Sequence, residues 1–547
     1  MGFYVDVVGW RRILSEVPLS GPDVLQELGI EGRREVVAWR VNRYLRSLDW
    51  TIDEDATVEL VDASSSEGME VYRRTLSFLL VLACRQALGC QISIRHSISN
   101  AYYCELSTGP ASVDQVARVR QALRDLVEQN MPIRRSVVSL DKARRIFDAQ
   151  GDDDKARLLQ WAVQDPVELY SCQGRFGFYY APLAPSSGAV PLFDLISYAP
   201  GMVLRFPTIH SPFSLPDFQA TPRLVDVFRE YGEWLDILDV GTMASLHEQV
   251  AEDKTVDIIM VSEAFHARRL ALVSEEIVRR KSVRLVCMAG PSASGKTTTS
   301  RRLRVQLQLS GLHPVALSLD EYFVDRELTP RDEEGRYDFE DINALDLELL
   351  NSHLQRLLAG DEVQLPRFDF LLGKRTPGRK LRLRPKDILI IEGIHGLNDR
   401  LTEAVPEDLK YGIFVSPLTG VSLDRHTRTS TTDNRFLRRM VRDHRTRGKS
   451  PENTILQWPS VTRGAFKHIF PFQDRADALF NTVLVYELSV LRGYAEPLLR
   501  TVPESSPAFG EAQRLLSMLR FVPVIPADNV PNTSILREFI GGSCFGD

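Results

Sequence analysis

Cysteine is scarce in this chain of 547 residues: there are six, Cys84, Cys90, Cys104, Cys172, Cys287 and Cys544, and none forms a CxxC pair. That spacing indicates neither a disulfide framework nor a cysteine zinc site, and it fits reduced, mostly buried thiols in a cytoplasmic protein. Long apolar runs are missing as well. The longest clear one, Leu76 to Cys84, is half of the roughly 18 residues that a membrane span needs, so no membrane partner is expected. Nor is there an excess of positive charge. A net charge of −6 gives no general support for polyanion binding, although it leaves a local basic patch open. The opening MGFYVDVVGW has no basic segment leading into an apolar one, as secretion would require, and Asp6 stands where N-myristoylation needs Ser or Thr. What is present is a globular balance, 44% apolar and 26% charged, in a chain long enough for about three or four domains.

The chain changes character along its length. Residues 1–62 read as a small, mainly β module, with a short helix at Asp23 to Leu28 and strands at Val36 to Val41 and Val58 to Val61. In residues 63–222 an apolar helix, Tyr72 to Leu88, precedes paired strands over Ile92 to Leu106 and an amphipathic helix over Ser112 to Gln129. Prolines at 182, 185, 191, 200, 207, 212, 216 and 222 then predict loops and a domain edge. Residues 223–282 read as a helical connector, with Val256 to Arg280 as its longest helix. From Val283 onward short strands apolar on both faces alternate with helices, which predicts a buried parallel sheet with helices on both faces.

The most specific motif is GPSASGKTT, Gly290 to Thr298, directly after the apolar run VRLVCMA. Strand, glycine loop and helix must follow in that order for backbone N–H groups and a helix N-terminus to cradle a phosphate. By chance alone the bare pattern arises in on the order of one chain in a hundred, before the flanking elements are considered. Gly290, Pro291, Ser292, Ala293, Ser294, Gly295, Lys296, Thr297 and Thr298 are therefore the candidate ATP-binding residues. Lys296 would reach the β- and γ-phosphates, and the Thr297 hydroxyl would face Mg²⁺. Two strand-end acids narrow the chemistry. Asp320 closes the strand His313 to Leu319 and would accept a hydroxyl proton beside the triphosphate. Glu392 ends the strand Asp387 to Ile391 in the place of a Walker-B-like acid. Two basic stretches, Arg367 to Arg384 and Arg425 to Lys449, lie where a mobile cationic lid would be expected.

The ordered set GPSASGKTT, LDEYF, YDFEDINALD, LPRFDF, IIEGIHGLN and RRMVRDHRTRGKS resembles the uridine kinase and phosphoribulokinase family over about residues 283–490. The resemblance implies a P-loop kinase that uses ATP and Mg²⁺ to phosphorylate a sugar hydroxyl, most simply a nucleoside 5′-hydroxyl. It also implies Asp320 as catalytic base with Lys296, Arg439, Arg442 and Arg447 as catalytic cations. Thr297, Asp320 and Glu392 fall on the metal side, and Phe323, Glu340, Phe368 and Gln457 on the substrate side. Three positions depart from the family pattern. Phe323 and Phe368 stand where uridine–cytidine kinases carry tyrosine, and Gly373 stands where they carry the base-reading histidine. A kinase for another hydroxylated metabolite therefore stays open.

The N-terminal half has a resemblance of its own. VVAWRVNRYLRSLDWTIDEDATVELVDASSSEG is similar to the end of a TGS domain. YRRTLSFLLVLACRQALG, ISNAYYCEL and APLAPSSGAVPLFDL are similar to the editing domain of threonyl-tRNA synthetases. The four positions that carry that domain's metal ligands and bases are Arg74, Phe78, Tyr179 and Leu183 here, so the resemblance implies no editing activity. The expected architecture is an α/β P-loop kinase domain (residues 283–500) preceded by α+β TGS-like (1–62) and editing-like (63–222) domains and the helical connector (223–282), with a C-terminal segment (501–547) that has no assigned chemistry. A small-molecule acceptor is the expected partner. An RNA, tRNA or regulatory ligand at the N-terminal half, an ATP-sensing RNA-binding regulator as the rival function, and oligomerisation all stay open.

Overall fold

The computed structural model describes residues 2–546 apart from 332–334, 336, 370, 371 and 419, with Pro222 described for its backbone alone. Its N-terminal unit is a five-stranded mixed sheet in the order Arg12–Ser15, Phe3–Val7, Ala56–Asp62, Val36–Val41, Tyr44–Arg46. Phe3–Val7 runs parallel to Ala56–Asp62, and the other pairs are antiparallel. Alternate residues Phe3, Val5 and Val7 point into a core completed by Val24, Trp39 and Val58, the period-2 pattern of a one-sided sheet. The short helix Gly21–Glu27 is fixed by a capping box, in which Asp23 accepts from the Ser20 N–H at 2.7 Å.

The helix Ser66–Leu88 opens the second unit. It begins at Ser65, whose hydroxyl accepts from the Gly68 N–H, and ends at Gly89 with φ 68°. An antiparallel sheet, Asp194–Tyr198, Gly201–Arg205, Ala101–Leu106, Ile92–Ile98, and a three-stranded sheet, Arg175–Phe178, Val167–Cys172, Arg134–Val138, complete it. Two of these strands lie inside the proline-rich stretch where the sequence predicts loops. The prolines fall outside the strands, and Pro200 sits in the turn between Asp194–Tyr198 and Gly201–Arg205, so no ladder hydrogen bond is lost.

In the C-terminal half five parallel strands form one sheet in the order His313–Ser318, Asp387–Glu392, Leu285–Ala289, Lys410–Ser416, Ala478–Asn481. Leu285–Ala289 is central and buried throughout. Val286 and Met288 join a cluster with Leu303 and Leu307 of the helix Lys296–Leu309, while Leu285, Cys287 and Ala289 join Leu350 and Leu354 of Leu347–Ala359. Helices thus cover both faces, the doubly wound arrangement that parallel sheets require. The first basic stretch forms a β-hairpin, Val363–Asp369 with Lys374–Leu381; Phe370 and Leu371 lie outside the described residues. The second contains the helix Thr431–Arg447.

The helical stretch between the halves is packed into the core of the parallel-sheet unit. Ile258, Phe265, Leu270 and Ile277 of Thr255–Arg279 share the cluster of Val286 and Leu303. Its His266 is buried, with Nε2 3.1 Å from the Val483 carbonyl, and burial holds the imidazole down to about 3. The C-terminal segment shares the same cluster through Ile535, Leu536 and Phe539. The unit joins also carry charge: the Lys155 ammonium meets Asp424 at 2.6 Å with both side chains 1% exposed.

A neutral buried histidine takes up a proton on unfolding wherever pH lies between its folded and unfolded values. His266 therefore contributes stability that is present above about pH 6.5 and is lost toward pH 3, with a slope of about 1.4 kcal/mol per pH unit. Denaturant titrations of His266→Gln across this window should show an acid limb shallower by about one proton than that of the parent chain.

Candidate active site

The strand Leu285–Ala289 delivers the loop Gly290 to Gly295 to the start of the helix Lys296–Leu309. Gly290 is required by close approach, since a Cβ there would lie 2.0 Å from the Val415 carbonyl oxygen of the neighbouring strand end. Gly295, at φ 87°, makes the left-handed turn into the helix. Lys296 is half-buried, and its ammonium donates to the carbonyls of Gly290 and Pro291 at 2.8 and 3.0 Å. Burial lowers its basicity, against the pull of Glu392, Glu538, Asp320 and Glu340.

The floor of the loop rests on a residue that motif reading passed over. Arg438 of the helix Thr431–Arg447 is 0% exposed and pairs with Glu487 through two hydrogen bonds, one of 2.6 Å. Its remaining donors reach the carbonyls of Ala293 and Ser294 at 3.4 Å each and the Thr482 hydroxyl at 3.0 Å. Thr482 in turn donates to the Ser294 carbonyl at 2.7 Å. The sequence signal was present, one arginine among several in RRMVRDHRTR, but nothing in the spacing separates an inward arginine from a lid cation.

The carboxylates stand on the opposite side. Asp320 lies in the 3₁₀ turn Leu319–Tyr322, just beyond the strand His313–Ser318. Its side chain opens to solvent at the mouth of the cleft, yet the protein around it raises its carboxyl above the ordinary value, opposed by Lys296 and Arg447. Glu392 is the last residue of Asp387–Glu392. One of its oxygens accepts from the Thr297 hydroxyl at 3.3 Å, and the other is buried without a partner. Burial raises Glu392 to about 7, with Glu538 and Asp320 adding to the shift and Lys296 and Thr297 opposing it. Glu340 is also raised by burial, opposed chiefly by Arg439 and Lys296.

The cations of Thr431–Arg447 are organised by Asp443, which is 0% exposed. Arg442 donates to it at 2.8 and 3.0 Å, and Arg439 and Arg447 lie 3.4 and 3.5 Å away. Arg439 also donates to the Ser292 hydroxyl at 2.8 Å. Arg435, buried deeper, is pushed down to about 9 by desolvation. One buried acid thus holds three arginines at the edge of the loop, and of these Arg447 interacts with Asp320 and Arg439 with Glu340.

On the far side Phe323 packs against Phe368 with ring centroids 5.7 Å apart, and Glu321 accepts from the Phe368 N–H at 2.6 Å, which pins the hairpin to the Asp320 turn. Gly373 closes that hairpin at φ 67°, and a Cβ there would meet Arg326 at 2.9 Å. Glycine suits this left-handed turn, where a side chain would be strained against Arg326. The structure therefore brings Lys296, Thr297, Asp320, Glu392, Glu340, Arg439 and Arg447 to one cleft with Phe323 and Phe368 beside it. Gln457 is not among them: it is exposed on the helix Pro451–His468 and accepts from Lys449. His426 is buried near Lys155 and Asp154, whereas His444 is exposed on the helix Thr431–Arg447.

At the other candidate site apolar packing fills the space. Phe78, Tyr179 and Leu183 are all buried, Phe78 meets Tyr179 edge-on at 6.2 Å, and Arg74 donates to the Pro182 carbonyl at 2.7 Å. Among the described residues the metal-capable cluster lies elsewhere, at Asp338, Asp341 and His468, where both carboxylates accept from N–H groups of their own turn. No helix among the described residues is long and apolar enough to cross a membrane.

Residues 285–489 match the family model described as the phosphoribulokinase / uridine kinase family. A uridine kinase from Chloroflexus aggregans is 31% identical over 199 residues, which are 36% of this chain and 85% of that protein. The N-terminal half is similar to threonine–tRNA ligases: the one from Marinobacter nauticus is 25% identical over 194 residues, 35% of this chain, and the chain spans only 30% of that ligase. A solved structure of a possible uridine kinase from Bacillus stearothermophilus aligns at 19% identity over 39% of this chain and 97% of its own, with a TM-score of 0.26.

Breaking a buried ion pair by removing one partner leaves an uncompensated charge and costs about 3–5 kcal/mol. Arg438→Met should therefore lower the unfolding free energy by that amount in denaturant titrations. Replacing both partners, Arg438→Met with Glu487→Leu, should recover most of it.

Proposed function

The chain belongs to the phosphoribulokinase / uridine kinase family, and on that premise we propose that it transfers the γ-phosphoryl of ATP to a sugar hydroxyl, the 5′-hydroxyl of a nucleoside being the favoured acceptor. The observation that carries this reading is the gathering of one lysine, two strand-end acids and the Asp443-held arginines around a single phosphate loop.

The residues present fit both nucleotide and metal. Gly290 and Gly295 carry no side chain at the two ends of the loop, where a Cβ would meet Val415 and Ile535, the Ser294 hydroxyl and one Glu392 oxygen are buried without partners, and the donor set of one hydroxyl and two carboxylates suits a hard cation. Thr297, Asp320 and Glu392 would hold Mg²⁺, which would supply charge neutralisation at the phosphate oxygens. Asp320, its carboxyl raised by the protein around it, accepts the proton of the acceptor hydroxyl as that oxygen attacks. Lys296, Arg439 and Arg447 stabilise negative charge on the transferring group, with Arg442 holding Asp443 in place. Glu340, Phe323 and Phe368 wall the acceptor side, and Gln457 would join it only by a movement of the helix that carries it.

A second reading concerns the acceptor. Phe323 and Phe368 offer ring faces and Gly373 offers no side chain, so this wall has few groups to tell one base from another. An acceptor other than uridine, or another hydroxylated metabolite, is consistent with that wall. For the N-terminal half we propose a binding or regulatory module, with RNA or tRNA as candidate ligand, because apolar packing replaces the hydrolytic groups.

Asp320→Asn should reduce kcat by about two to four orders of magnitude while leaving nucleotide affinity within about twofold. The assay is ADP release with Mg²⁺ against a panel of ribo- and deoxyribonucleosides, with each monophosphate product identified by mass spectrometry. Undiminished turnover in the variant would remove Asp320 from the chemistry, and silence of the parent chain across the panel would move the acceptor outside the nucleosides.

A further inference from the structure

The segment NTSILREFIGGSCFGD, which no sequence motif explains, reaches the phosphate loop. Glu538 accepts two hydrogen bonds from Thr298, from the backbone N–H at 3.1 Å and from the hydroxyl at 2.8 Å. Thr298 is the third residue of the helix Lys296–Leu309. The first N–H groups of a helix have no partner within it, and in a phosphate loop they are the donors offered to the ligand. A carboxylate of the chain itself and a phosphate of a nucleotide therefore compete for the same donors, and both are drawn by the same helix dipole. Glu538 also adds negative potential at Glu392 and is one of the acids facing Lys296.

The segment that carries Glu538 is fixed. Ile535, Leu536 and Phe539 are each 0% exposed, and Phe539 lies under the Arg438 guanidinium, 5.0 Å from its ring centroid. Arg445 donates to the Phe539 carbonyl at 3.4 Å, and Arg301 to the Phe545 and Gly546 carbonyls at 2.6 and 2.9 Å. Glu538 itself is only partly buried, and its side chain can rotate away while the backbone stays in place. Resting on the kinase reading above, we propose that Glu538 is an affinity-setting residue of the nucleotide site: it holds the Thr298 donors until a nucleotide phosphate displaces it, so that the site favours di- and triphosphates over singly charged anions.

The test uses the full chain with Mg²⁺ and a non-hydrolysable ATP analogue, measured by calorimetry and by thermal unfolding. Glu538→Gln keeps the shape and removes the charge; Glu538→Ala removes both. Losing a competitor held by charge-assisted hydrogen bonds should tighten binding about tenfold to a hundredfold in Glu538→Ala and less in Glu538→Gln. The unliganded Tm should fall, because the helix loses a capping group, while the increment in Tm added by the analogue should grow. A residue with only a structural role would lower the first quantity without raising the second. Inorganic phosphate, as a second probe, should shift the Tm of Glu538→Ala more than that of the parent chain. Equal or weaker binding of the analogue by both variants overturns the proposal and leaves the kinase reading standing. Absence of binding by the parent and both variants overturns the kinase reading, and this proposal with it.

Discussion

The buried guanidinium of Arg438 is the constraint on which the rest of the site depends. It sits at 0% exposure, neutralised by Glu487, and takes the carbonyls of Ala293 and Ser294. A trans peptide carries its C=O and N–H in opposite directions, so drawing the Ser294 carbonyl into the core turns the Gly295 N–H away from it. The loop is thereby held with its Ser294 carbonyl inward by Arg438 and Thr482. Thr482 repeats the same contact from the strand end Ala478–Asn481, and so the curvature of the loop is tied to the fifth strand of the sheet.

The same helix turns its outer residues to a different use. Arg438 is neutralised and structural. Arg439, Arg442 and Arg447, one and several residues on, share the single acid Asp443. Three cations on one anion leave net positive charge at the cleft mouth, while Asp320, Glu340, Glu392 and Glu538 supply the opposing charge across it. Desolvation raises the carboxyls of Asp320, Glu340 and Glu392 against the pull of the neighbouring cations, the condition under which charged groups respond strongly to an incoming ligand.

The two halves are less separable than the order of motifs suggests. The helix Thr255–Arg279 and the C-terminal residues Ile535 and Phe539 belong to the same apolar cluster as the central strand, and Ile98, Tyr103 and Val203 of the second unit share a cluster with Leu285 and Cys287. The Lys155–Asp424 pair lies in the same join. The N-terminal half is therefore packed continuously with the sheet that carries the phosphate loop.

Much of this was legible in the chain alone. GPSASGKTT after an apolar strand dictated the loop, and the positions of Asp320 and Glu392 at strand ends dictated which acids face it, because strand order and helix start are local consequences of hydrophobic period and glycine placement. The strands Asp194–Tyr198 and Gly201–Arg205 were hidden by prolines that turn out to flank them. Which arginine of RRMVRDHRTR goes inward could not be read either, since Arg438 and Arg439 are neighbours of identical chemistry and only the helix phase against Glu487 separates them. Gln457 had a motif position but no place in the cleft. Glu538 stands 240 residues from Thr298, a separation over which no local pattern operates. Local sequence thus determined the loop, its strands and the acids at their ends, whereas burial of one arginine, the turn that requires Gly373 and the arrival of the C-terminal carboxylate were decided by tertiary packing, which alone brings distant charges within hydrogen-bonding reach.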